Sequence, residues 1–87
     1  MSEVNVKSLA RTRALLRDTL QLGDRAALLD ETSPLLGAIA ELDSMAVVGV
    51  LTAAEDEFGI VIDDDDVSAD TFATLGSLAA FFDSKIA

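Results

Sequence analysis

Apolar residues recur at helical spacing in three stretches of the chain. Over residues 4–22, Val6, Leu9, Leu16 and Leu20 fall on one stripe, Leu15 widens it, and the arginines lie mainly elsewhere. That pattern predicts an amphipathic helix with one face on a core, and Gly23 offers a stop. Over residues 45–58, Val47, Leu51, Ala54 and Phe58 form a second stripe, with Val50 beside it and Gly59 placed to close the helix. The third stripe is Leu75, Leu78, Ala79 and Phe82, extended by Ile86 and flanked by Phe72 and Phe81, and Thr74 stands where a cap is wanted.

The intervening stretches read differently. Residues 23–43 mix Gly23, Ser33, Pro34 and Gly37 with Leu28, Leu29, Leu35 and Leu36, too broken for a long helix and too apolar for a solvated linker. Long structureless loops are uncommon in small domains, so a packed loop with one helical turn near residues 25–29 is expected. Ile60, Val61 and Ile62 are β-branched but have no second strand-like run to pair with, which predicts an extended connector. Asp63, Asp64, Asp65 and Asp66 then place negative charge ahead of residues 67–71, where it suits the positive end of a short helix. The expected fold is all-α: a small four-helix bundle of three main helices and one short one, with a long first loop, in a single domain over residues 1–87.

Charge and composition narrow the function. The net charge is −10 and is unevenly placed: residues 1–25 carry five bases against three acids, whereas residues 26–87 carry thirteen acids against Lys85 alone. Such a field repels nucleic acid and anionic membrane and steers basic partners inward. No apolar run approaches the roughly 20 residues needed to span a bilayer, and Lys7, Arg11, Arg13 and Arg17 interrupt the first 17. Neither a transmembrane helix nor a secretory segment is expected, and the cytoplasm is the expected compartment. There is no Cys and no His, which removes the protein thiolate, the commonest general base and the usual zinc ligands together. The chain is therefore not expected to be an enzyme, and no metal site is expected. The acid run fails the calcium-loop test, because Val67 and Ser68 stand where a ligand and the required glycine belong; a solvated acid run is the expected role.

The chemistry concentrates at Asp43, Ser44 and Met45: a hydroxyl at the edge of the second main helix, an acid before it and an apolar residue after it. By itself the pair is an ordinary cap, supplied by either Asp43 or Ser44. In context it resembles the acyl carrier protein family. The resemblance runs from Ser33 to Phe82, through Leu35 and Leu36, the Asp43, Ser44 and Met45 triplet, Glu55 to Gly59, Ile62 with its following acids, and Thr74 with Leu75. It implies that Ser44 carries a 4′-phosphopantetheine arm, transferred from coenzyme A by a magnesium-dependent phosphopantetheinyl transferase, on which acyl groups ride as thioesters. It further implies that Asp43 helps the transferase hold its metal ion. Met45, Val48, Glu55 and Asp56 would form the face docking onto synthases, ligases or transferases with basic patches.

Several positions depart from the common pattern. Ala40, Glu41 and Leu42 stand where Leu-Gly-any residue is usual, Met45 replaces Leu, and Ala46 and Gly49 occupy positions often acidic. The run from Glu41 to Leu51 is similar to carriers associated with bacterial exopolysaccharide and exosortase systems, which points to a specialised carrier. The competing readings are a peptidyl or aminoacyl carrier, and an unmodified acidic helical interaction module that binds a basic partner through its acidic surface with Met45 and Val48, Ser44 being only a cap; for Val48 alone, the alternative to docking is burial against the long loop. A serine hydrolase is disfavoured for want of a base beside Ser44. A free monomer is the expected state.

Overall fold

The computed structural model describes residues 6–39 and 42–86, apart from the side chains of Val6, Ser44 and Asp64. Its order is helix α1 (Val6–Leu20), a 3-10 helix (Gly23–Leu28), helix α2 (Ser44–Phe58), two 3-10 turns (Asp64–Asp66 and Ala69–Phe72) and helix α3 (Leu75–Ile86). Among the described residues there is no strand; one isolated bridge joins Pro34 to Thr74.

Helix α1 turns Leu15, Leu16 and Leu20 into the core, with Leu9 at its edge. Its inner face also carries Ser8 and Thr12, both buried, which the apolar stripe did not reveal. The Ser8 hydroxyl donates to Asp83 Oδ1 at 2.9 Å and so ties α1 to α3. The Thr12 hydroxyl has no hydrogen-bond partner among the described residues. The helix ends at Gln21, not at the expected Gly23: Gln21 takes the left-handed angle (φ 55), and the Leu22 N–H returns to the Arg17 carbonyl at 3.0 Å. That pairing is the Schellman closure, made here without glycine. Gly23 begins the short helix expected at 25–29, which therefore starts two residues early.

In α2 the line facing the core is Val50 and Ala54, both fully buried, while Val47, Leu51 and Phe58 flank it. The expected stripe is thus displaced by part of a turn. Gly59 ends the helix in the left-handed conformation, as its place in the sequence predicted. The connector, residues 60–63, forms neither helix nor strand, and the Ile62 N–H is bound to Glu55 Oε2 at 2.9 Å. The short helix expected at 67–71 lies at Ala69–Phe72, and three of the four aspartates form a separate turn at Asp64–Asp66. The shift follows from Thr71, whose hydroxyl accepts the Ser68 N–H at 3.1 Å and fixes the start at Ser68. Thr74 caps α3 as expected: its hydroxyl accepts the Ser77 N–H while the Ser77 hydroxyl accepts the Thr74 N–H, both at 3.0 Å.

Helix α1 packs against both α2 and α3. Arg11 reaches Phe58 while Thr19 lies by Gly49, so α1 and α2 run in opposite directions. Arg11 also closes the far end of α2, donating to the Glu57 carbonyl at 3.0 Å with its guanidinium 4.4 Å from the Phe58 ring centre. Leu16, Leu35, Val50, Phe72, Leu75, Leu78 and Phe82 form the fully enclosed centre.

A backbone strap holds the long loop to the start of α3. The N–H groups of Leu35 and Leu36 bond to the carbonyls of Ala73 and Phe72, and those of Leu75 and Gly76 bond to Ser33 and Glu31, at 2.8 to 3.1 Å. Gly76 permits this approach, since a Cβ there would lie 2.7 Å from the Glu31 carbonyl oxygen. Asp30 sets the turn before the strap; hydroxyl groups of Thr32 and Ser33 and the Thr32 N–H donate to it and lower its pKa.

Candidate functional site at the start of α2

The strap delivers the chain to the site. Leu35 and Leu42 are buried in the core, so the loop is pinned on the near side of residues 40 and 41 and again immediately before Asp43. Asp43 is extended (φ −108, ψ −174) and Ser44 is the first helical residue. This settles the two cap candidates: Asp43 Oδ1 accepts the Ala46 N–H at 2.8 Å, and the Asp43 carbonyl accepts the Val47 N–H at 2.9 Å. The Ser44 side chain lies outside the described residues. Its backbone stands on the first turn of α2, where unsatisfied N–H groups and the helix dipole favour an anionic group such as a phosphodiester.

The surroundings suit a tethered arm. Asp43 is exposed on one side of Ser44, and Met45 on the other is 84% exposed. Val48, one turn along, is 63% exposed, which removes the reading that it packs against the loop. Asp56 continues the same exposed face. Glu55 does not stand free on it: the residue is half-buried, and its carboxylate holds the connector through Ile62. Glu57, further round, faces Arg11 at 3.5 Å. Thus Met45, Val48 and Asp56 share one face, while Glu55 is engaged elsewhere.

One residue that shapes this region carried no functional signal in the sequence. Arg11 holds the far end of α2 from another helix, a long-range contact that periodicity cannot report. Gly49, exposed in the middle of α2, was marked in the sequence by standing at an often acidic position and by its unfitness for a helix interior. No group of three or more His, Cys, Asp or Glu positioned to hold a metal ion occurs among the described residues. No helix among them is long and apolar enough to cross a membrane.

Comparison with known proteins shows the family. The family described as phosphopantetheine attachment site matches residues 10–82, a span that reaches from α1 into α3 and includes Asp43, Ser44 and Met45. The solution NMR structure of a holo acyl carrier protein from Nitrosomonas europaea is similar to this chain at 52% identity, with a TM-score of 0.87, over 93% of this chain and 98% of that one. Among curated proteins, none matches significantly. The shared helices, the shared span and the helix start within it together make the chain a member of the phosphopantetheine-binding acyl carrier protein family.

Proposed function

We propose that Ser44 is the residue that carries the arm, and that residues 1–87 act as one non-catalytic carrier domain. As an acyl carrier protein the chain holds acyl groups on a covalently attached 4′-phosphopantetheine. When bound, that group supplies the thiol that a chain without cysteine lacks. The observation that carries the assignment to Ser44 is its place as the first residue of α2, with Asp43 as the cap and exposed Met45 beside it.

Each neighbour has a part. Asp43 fixes the helix start by accepting the Ala46 N–H, and its exposed carboxylate offers a hard oxygen ligand to the transferase's magnesium ion. Leu42 and the strap hold the incoming loop, so the serine is presented from a rigid base. Met45 and Val48 provide apolar contact for enzymes reaching Ser44, and Asp56 adds charge at the edge. The −10 net charge draws in partners with basic patches over longer range. The partners are a phosphopantetheinyl transferase and acyl-handling enzymes, met in the cytoplasm by a monomeric carrier.

The test is direct. The purified apo-protein, incubated with coenzyme A, magnesium and a broad-specificity phosphopantetheinyl transferase, gains the mass of one phosphopantetheine, and Ser44→Ala gains none while keeping its helical circular dichroism. Absence of the addition in the wild type leaves the unmodified interaction module as the better reading. Addition that persists in Ser44→Ala moves the attachment to another residue.

A further inference from the structure

Helix α1 and the short helix after it leave between them a cleft of about 420 Å³, inside the range of small-molecule sites, roughly 300–1,000 Å³. Ala10 and Ala14 on α1 and Ala26 and Ala27 on the short helix give it an apolar floor. The charged side chains lining it, among the described residues, are Arg13, Arg17 and Asp24. In a chain of net charge −10, this cleft has more positive than negative charge at its walls. Arg11 and Thr19 mark the side of α1 that faces α2. At roughly 3.6 residues per turn, residues 10, 13, 14 and 17 fall on the opposite side, so the cleft lies away from α2 and its exposed residues.

The two arginines define what the cleft can take. Arg13 Nε donates to the Leu29 carbonyl at 2.9 Å, which anchors the guanidinium beside the cleft through one of its N–H donors. Arg17 Nε donates to Asp18 Oδ1 at 3.1 Å, an exposed pair between sequence neighbours that adds little to stability. Spaced four apart in sequence, the two side chains are neighbours on one helix face. A single carboxylate is satisfied by one guanidinium fork, because the fork matches its two oxygens. A phosphoryl group has three terminal oxygens and up to two charges, and so can engage both forks. Asp24 repels a second anionic group, so the fitting ligand carries one phosphoryl group. The alanine floor suits a compact organic body attached to it.

We propose that this cleft binds a small phosphate monoester, with its phosphoryl group between Arg13 and Arg17 and its organic part over the alanines. The inference concerns a face separate from Ser44 and stands whether or not Ser44 carries the arm. A ligand held here leaves the start of α2 uncovered.

The test titrates the protein at constant ionic strength with ribose 5-phosphate, ribose, inorganic phosphate and a hexaglutamate peptide, followed by amide shifts. Ribose 5-phosphate is expected to shift residues 10–17 and 23–27 saturably and to bind several-fold more tightly than inorganic phosphate, while ribose shifts nothing. Arg17→Gln weakens the ester about tenfold, the usual effect of losing one charge-assisted hydrogen bond. Ala14→Leu keeps both arginines but fills the floor, and weakens the ester by a similar factor while inorganic phosphate binds as before. Both variants keep the wild-type circular dichroism and the wild-type rate of loading by a phosphopantetheinyl transferase. No saturable shift with ribose 5-phosphate, undiminished affinity in Arg17→Gln, or shifts centred outside the cleft overturns the proposal and leaves the reading of Ser44 untouched. Hexaglutamate binding the cleft more tightly than the ester also overturns it, and makes the cleft a docking place for acidic protein segments.

Discussion

Gln21 closes α1 in a left-handed conformation (φ 55), which costs a residue bearing a Cβ roughly 1 kcal/mol and costs glycine little. Gln21→Gly is accordingly expected to raise the midpoint of thermal unfolding by several degrees, measured by circular dichroism; a lower midpoint would show that the Gln21 side chain holds the turn. The sequence pointed to Gly23 as the stop because glycine is the usual residue there. The real closure lies two positions earlier, and no periodicity distinguishes Gln21 from the helix it ends. Thr12 and Ser8 were hidden by the same logic. An apolar-stripe reading assigns polar side chains to the outside, yet both are buried, and Ser8 finds its partner 75 residues away at Asp83. At the site, Asp43 and Ser44 were legible from the sequence as the residues at the helix edge, but the division of labour between them was not. Only the backbone angles and the Ala46 N–H make Asp43 the cap.

The strap between residues 31–36 and 72–76 is the element that sequence could least reveal, because its bonds join main-chain groups about forty residues apart. The sequence did mark the loop as ordered, through leucines too numerous for solvent. Leu35 is fully buried, but Leu36 is not. The ends of α2 and α3 were more readable, since Gly59 and Thr74 act locally and do as their residue types predict. Gly76 offers the means to test the strap. Gly76→Ala drives a Cβ against Glu31 and is expected to destabilise the fold by about 1–3 kcal/mol, the usual cost of overpacking, read from urea unfolding. Gly76 is held by the fold, whereas a Cβ at Gly49 would meet only Thr19 Cγ2 at an ordinary 3.9 Å. A neutral Gly76→Ala would show that the loop yields easily and that the strap contributes little.

Charge acts on the scale of the whole molecule. After residue 25 there are thirteen acids and one base, and Lys85 spends its single charge on Asp66, whose pKa it lowers. Arg11 reaches across to Glu57. Much of the remaining acidity is mutually repulsive, so the melting temperature is expected to rise with sodium chloride and, at lower concentration, with magnesium. A melting temperature indifferent to both would mean that the carboxylates are too far apart to repel. The strap carries one more consequence at this scale. Residues 72–76 follow residues 35 and 36 in the chain, and without them the amides of Leu35 and Leu36 have no carbonyls to bind. The stretch that leads to Ser44 is therefore expected to lose this anchor in a chain cut short of Thr74. If Ser44 carries the arm as proposed, attachment is expected to require the docked third helix.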